Sequence, residues 1–209
     1  MILLAWMGWS RRRRLMGLAR TANEMGMRFS PDDPFGLTKH YSGFVLASAG
    51  HSGRAENVVF GRYDGRDPQT RNNASGVPWM LRAFDYCFEV GHGTRRLSRR
   101  YGVIAADTDL DLPDLLMWSS EDSEHVPLAA GRPLGRSGQW MVITGMEFAR
   151  TMTEAFSNYS DRPIDLQIDN GSVMICSPVR WKPAELAAEL ARAVECLQRL
   201  RKESPRLTE

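Results

Sequence analysis

The chain has 209 residues, 43% hydrophobic and 25% charged, the profile of one ordinary soluble domain or two small ones tightly joined, with enough apolar residues to bury a core. Its three cysteines, Cys87, Cys176 and Cys196, are odd in number and contain no C-x-x-C pair, which excludes a closed disulfide framework and points to a reducing, cytoplasmic setting. The net charge is +2, but residues 1–30 hold six arginines and one glutamate and carry +5, leaving −3 on the remaining 179, too little positive charge for a body that grips nucleic acid.

The first distinctive feature is the apolar run Ile2 to Trp9, followed by Ser10 and Arg11-Arg12-Arg13-Arg14. A secretory signal places its charge before the apolar part, so the order here is reversed. Eight helical residues reach about 12 Å, short of the roughly 30 Å hydrocarbon layer, so the run cannot span a bilayer alone. Its order matches the last two turns of a membrane helix with a cytoplasmic arginine flank. The competing reading is a helix start whose tryptophans pack on the domain or on a second copy of it. Trp6, Trp9, Arg11, Arg12, Arg13 and Arg14 are therefore the candidate residues for contact with an anionic membrane surface or a protein partner, and a homodimer is compatible with them.

After the arginines, Leu15, Leu18, Ala19, Ala22 and Met25 fall at helical spacing, with Gly26 at a C-cap position, which predicts a helix over 11–25. Residues 1–28 thus form an N-terminal unit of stub, arginine run and amphipathic helix. Phe29 to Gly36, with Pro31 and Pro34, reads as a turn-rich crossing. Ser42 to Ala47 and Asn57 to Gly61 read as strands separated by a turn at Gly50 to Gly53, and Pro68 to Pro78 reads as a long polar loop. Trp79 to Val90 is apolar on both alternating faces, the pattern of a central strand. Gly91-His92-Gly93 turns the chain into a strand at Leu97 to Ala106. Residues 107–125 carry seven acids around a short strand at Leu115 to Trp118.

Residues 29–128 thus form an antiparallel sheet region, and Ala129 to Gly138 reads as a linker to a C-terminal α+β subdomain over 139–203. That part predicts a strand at Gln139 to Thr144, a helix carrying Phe148, Ala149, Met152, Ala155 and Phe156, and a hairpin. Asn170-Gly171 lies between two alternating runs, a strong hairpin signal because both central residues of a type I′ turn need positive φ. Pro183 opens the longest helix at its first turn, and Ser204 to Glu209 should fray. The predicted fold is α+β: an antiparallel sheet with an N-terminal helix and a C-terminal strand-helix-hairpin-helix unit.

No motif dictates a chemistry. Asp107-Thr108-Asp109-Leu110-Asp111 starts like a calcium loop, but Leu112 replaces the turn glycine and Trp118 the closing glutamate. Gly50 to Gly53 is not a nucleophile elbow, and Gly91-His92-Gly93 lacks the third glycine of a dinucleotide loop. The histidines His40, His51, His92 and His125 show no pair spaced for one helical face. No cofactor or metal is expected. Asp85, in the most buried strand pattern, is the carboxylate to watch: a tuned acid or base, or an acceptor of structural hydrogen bonds.

The segments Asp33-Pro34-Phe35-Gly36, Arg54 to Gly61, Ala83-Phe84-Asp85-Tyr86, Tyr101-Gly102-Val103-Ile104 and Ile168 to Ser172, with the Pro183 helix, resemble an uncharacterised family of bacterial α+β domain proteins, some with N-terminal membrane helices. That resemblance implies an α+β domain near a membrane and no assigned activity; the stub Ile2 to Trp9 stands where those members carry a full membrane helix. Composition, motifs and resemblance together predict a non-enzymatic interaction or scaffold protein at the cytoplasmic membrane face. The alternatives are a hydrolase using Asp85 and histidines assembled in space, and a small-ligand binding module.

Overall fold

The computed structural model describes residues 2–65, 78–119, 134–137, 140–156 and 164–207. In chain order these form α1 (Ile2–Glu24), β1 (Arg28–Asp32), α2 (Leu37–His40), a 3-10 turn (Val45–Ser48), β2 (His51–Tyr63), β3 (Trp79–Val90), a second 3-10 turn (Gly93–Arg95), β4 (Leu97–Asp107) and β5 (Leu115–Ser119). There follow β6 (Gly135–Ser137), β7 (Trp140–Thr144), α3 (Met146–Ala155), β8 (Asp165–Asp169), β9 (Ser172–Ser177) and α4 (Pro183–Leu207). Among the described residues nine strands join one antiparallel sheet, ordered β1-β2-β3-β4-β9-β8-β5-β7-β6, and the fold is α+β. The sheet continues across the division drawn near residue 128: β9 pairs with β4 (Val103 opposite Cys176), and β8 pairs with β5 (Leu116 opposite Gln167).

Strand alternation sorts the core into two layers. On one face Trp79, Leu81 and Ala83 of β3 pack with Leu18 and Ala22 of α1 and with Leu186, Leu190, Val194 and Leu197 of α4. On the other, Phe84, Tyr86 and Phe88 pack with Leu37, Tyr41, Phe44 and Leu46. Each such fully buried large side chain contributes about 1.5–3 kcal/mol relative to exposure.

Several expectations are corrected. Ser42 to Ala47 is not a strand: the chain makes turns and the Val45–Ser48 3-10 segment, because Tyr41, Phe44 and Leu46 all bury against the same sheet face, a spacing that alternation cannot supply. Phe29 to Gly36 is not wholly a crossing, since Arg28–Asp32 is a strand; Pro31 is tolerated there because β1 is the sheet edge and needs no second hydrogen-bond row. Of the turn placed at Gly50 to Gly53, His51 to Gly53 instead open β2, with a register break between His51 and Arg54 and Ser52 at φ 57°.

The helix over 11–25 begins earlier, at Ile2, and includes the apolar stub. It stops as expected of glycine: Gly26 at φ 71° donates to the Asn23 carbonyl at 3.0 Å, and Met27 donates to that of Ala22 at 2.8 Å, the double bond of a Schellman cap. Gly135–Ser137, within the expected linker, is strand β6, and α4 runs through Ser204 to Leu207. The remainder of that linker, the polar loop over 66–77 and His125 lie outside the described residues.

The β8–β9 hairpin turns through Asn170 at φ 46° and Gly171 at φ 75°. A Cβ on Gly171 would sit 3.3 Å from the Thr108 carbonyl oxygen. Gly171→Ala is expected to destabilise by about 1–2 kcal/mol, the cost of a left-handed conformation for an L side chain, read from urea denaturation; an unchanged midpoint would contradict this turn.

Candidate functional site

Consecutive residues of a helix point about 100° apart, so four successive arginines cannot share a face. The inner face of α1 carries Met25, Ala22 and Leu18 into the core, and the same three-to-four spacing continues through Arg14 to Arg11. The outer face carries Trp9, Arg13 and Met16, with Trp9 59% and Met16 58% exposed. Arg13 lies over the Trp9 ring, its guanidinium carbon 5.4 Å from the centroid, a cation–π distance. Arg11 and Arg12 are exposed. The Trp6 side chain lies outside the described ones.

Arg14 differs from its neighbours because it is turned onto the sheet. Its Nη2 donates to Asp85 Oδ1 at 2.9 Å and to the Trp181 carbonyl at 3.0 Å, and Nη1 lies 2.9 Å from Asp85 Oδ2. Asn57 adds a bond of 2.7 Å from its amide nitrogen to Oδ2, and Arg180 stands 3.9 Å away. Asn57 is aimed there by a register break in β2 between Glu56 and Val59, where it adopts φ 58°, a conformation asparagine tolerates. Gly102 of β4 lies opposite Asp85 in the ladder. A Cβ on it would fall 2.9 Å from the backbone nitrogen of Trp181, so glycine is what lets the Trp181 segment close over the pair. Burial pushes the Asp85 carboxyl above its ordinary range, and Arg14, Asn57 and Arg180 draw it only part of the way back.

Beyond Asp85 the helix-side face of the sheet changes from apolar to charged. An open cleft of about 680 Å³ lies there between the N-terminal half of α1 and strands β2 and β4. Arg11, Arg14, Arg54, Arg100 and Arg180 line it, with Glu56 the carboxylate among its lining residues.

The opposite face holds a second polar network at Asp107. This carboxylate accepts hydrogen bonds from Arg82, from the Tyr41 hydroxyl at 3.1 Å and from Ser172 at 3.0 Å, and His40 Nε2 lies 3.4 Å away. Serine and histidine each meet the aspartate here rather than one another, which is a clamp and not a nucleophile–base pair. His51 donates to the Gly91 carbonyl at 2.8 Å and stacks on His92 with centroids 5.1 Å apart. Among the described residues no histidine bonds to Asp85, whose partners are Arg14, Asn57 and Arg180. Asp109 of the acidic loop lies 3.4 Å from Arg201.

Reading the sequence missed Asn57, Trp181 and Arg180 as partners of Asp85 and treated the arginine run as uniform. The 100° rotation between successive helical residues was the available signal for splitting the run. No signal in the sequence announced that Arg180 and Arg100 would meet α1.

Comparison with family models and with curated proteins finds no match. Among solved structures the chain is similar to the crystal structure of the mycobacterial trehalose monomycolate transport factor A, TtfA, with a TM-score of 0.51 and 16% identity, over 88% of this chain and 95% of that one. At that identity the likeness is one of fold.

Arg14→Ala is expected to cost about 3–5 kcal/mol at neutral pH, because it leaves a buried carboxylate without its counter-charge. The cost should shrink toward pH 4, where Asp85 can be protonated; equal costs at both pH values would contradict it. At Asp107, burial alone would raise the carboxyl, but Arg82, Ser172 and His40 outweigh it and hold it below the ordinary range. Its contribution is therefore complete above about pH 4 and lost as pH falls through its lowered pKa. Stability should fall less steeply with acid in Asp107→Asn than in the parent, measured as melting temperature between pH 5 and pH 2 (about the range where carboxylates titrate).

Proposed function

We propose that the chain is a non-enzymatic interaction or scaffold protein that works peripherally at the cytoplasmic face of a membrane, related to the bacterial family its motifs resemble. The observation that carries this reading is the outer face of α1: an exposed Trp9 capped by Arg13, beside exposed Arg12 and Met16. Two exposed arginines, Arg12 and Arg13, near an anionic leaflet supply about 1 kcal/mol each, and an aromatic entering the interface adds to this, which gives reversible binding rather than insertion. No helix among the described residues is long and apolar enough to cross a membrane. The fold is similar to that of a protein described as a trehalose monomycolate transport factor, and transport, as that description has it, is in keeping with an interaction or scaffold role.

The chain should co-sediment with anionic vesicles, not with neutral ones, and release as salt shortens the Debye length below about 8 Å. The Arg12→Gln/Arg13→Gln variant with Trp9→Ala should stay in the supernatant, with an unchanged melting temperature because these side chains are exposed. A parent chain that does not sediment at low salt, or that forms a dimer dissolved by Trp9→Ala, assigns this face to a second copy instead.

A further inference from the structure

We infer that the cleft between the N-terminal half of α1 and the sheet is a binding site for a multiply charged phosphate group, a phosphomonoester or a pyrophosphate. This goes beyond the membrane reading, because the site lies on the inner side of α1 and that reading uses the outer face. Asp85, at the cleft floor, is already matched by Arg14, whose Nη2 donates to Oδ1 and whose Nη1 lies 2.9 Å from Oδ2. Arg180 stands 3.9 Å from the same carboxylate, and with Arg11, Arg54 and Arg100 it lines one open space, with Glu56 on its wall. Glu56 is itself 3.8 Å from Arg54 and accepts from Cys87 at 3.4 Å. Among the described residues neither Arg11 nor Arg100 has a carboxylate partner.

Like charges gathered beside a low-dielectric wall raise the local potential and attract a counter-ion. Guanidinium forks match phosphate oxygens in bidentate geometry, and several forks suit the three oxygens of a terminal phosphate better than the two of a carboxylate. The volume of about 680 Å³ falls in the small-molecule range of roughly 300–1,000 Å³. The cleft is also braced from below: Asn57 and Arg14, which line it, are both fixed by Asp85. Such a group can belong to a soluble metabolite or to a lipid headgroup, and the chemistry of recognition is the same.

The test titrates the full chain with inorganic pyrophosphate at constant ionic strength, with sulfate as control, and in parallel with vesicles of equal surface charge containing phosphatidic acid or phosphatidylglycerol. Saturable binding of one pyrophosphate per chain, weakened about tenfold by Arg54→Gln or by Arg100→Gln and less by the lysine variants, supports a soluble ligand. A preference for phosphatidic acid that these variants abolish, without pyrophosphate binding, assigns the site to a headgroup. Binding of neither, or binding that the two variants leave unchanged, overturns the inference. Both arginines are exposed, so the variants should keep the parent melting temperature, which is measured alongside. The Arg12→Gln/Arg13→Gln variant separates the two proposals: it should lose phosphatidylglycerol vesicles yet retain pyrophosphate, whereas a chain that binds pyrophosphate but no vesicle refutes only the membrane reading.

Discussion

A carboxylate removed from water costs several kcal/mol unless charge and hydrogen bonds replace its hydration, and Asp85, 3% exposed, meets that condition only because α1 lies where it does. Arg14 supplies the charge, Asn57 a further donor, and the Trp181 carbonyl accepts from the same guanidinium. Three parts of the chain far apart in sequence are therefore held to one point: the N-terminal helix, the bulged strand β2 and the segment entering α4. The neighbouring contacts agree with that placement. Thr21 donates to the Pro183 carbonyl at 3.1 Å, and a Cβ on Gly17 would stand 3.0 Å from the Pro183 ring, so α1 and α4 approach closely where the small residue allows it. Apolar burial between them stabilises the packing without direction, and the ion pair supplies direction.

Asp85 also marks where the core ends. On the α4 side of it the sheet face is apolar, with Ala83, Leu81 and Trp79 buried. On the other side the same face presents Arg54, Glu56 and Arg100 beneath the N-terminal turns of α1. The cleft thus lies where the N-terminal half of α1 passes over the charged end of the long strands β2 and β4.

Much of the sheet was legible because strong local signals agreed with the tertiary environment. Trp79 to Val90 has apolar residues on both faces and is buried on both; Asn170-Gly171 demanded positive φ and has it. Ser42 to Ala47 misled because its apolar residues look alternating while their burial follows turns against a single face. The edge strand with Pro31 was hidden by a residue that excludes most strands but not an edge. The pairing of β9 with β4, which merges both halves into one sheet, depends on contacts about seventy residues apart that no window of sequence contains. At the site, Asp85 could be singled out from its apolar surroundings, but its partners could not: Asn57 acts through a bulge, Arg180 through a loop, and Arg14 was masked by three identical neighbours.

The split of the arginine run has an evolutionary consequence. Arg12 and Arg13 are exposed, so drift at these positions leaves the fold untouched. Arg14 has no such freedom, since its replacement strands a carboxylate on another strand, and any lineage that changes it must change position 85 as well. A stretch that reads as simple repetition therefore contains positions under two unrelated structural constraints, separated by a single residue step along the helix.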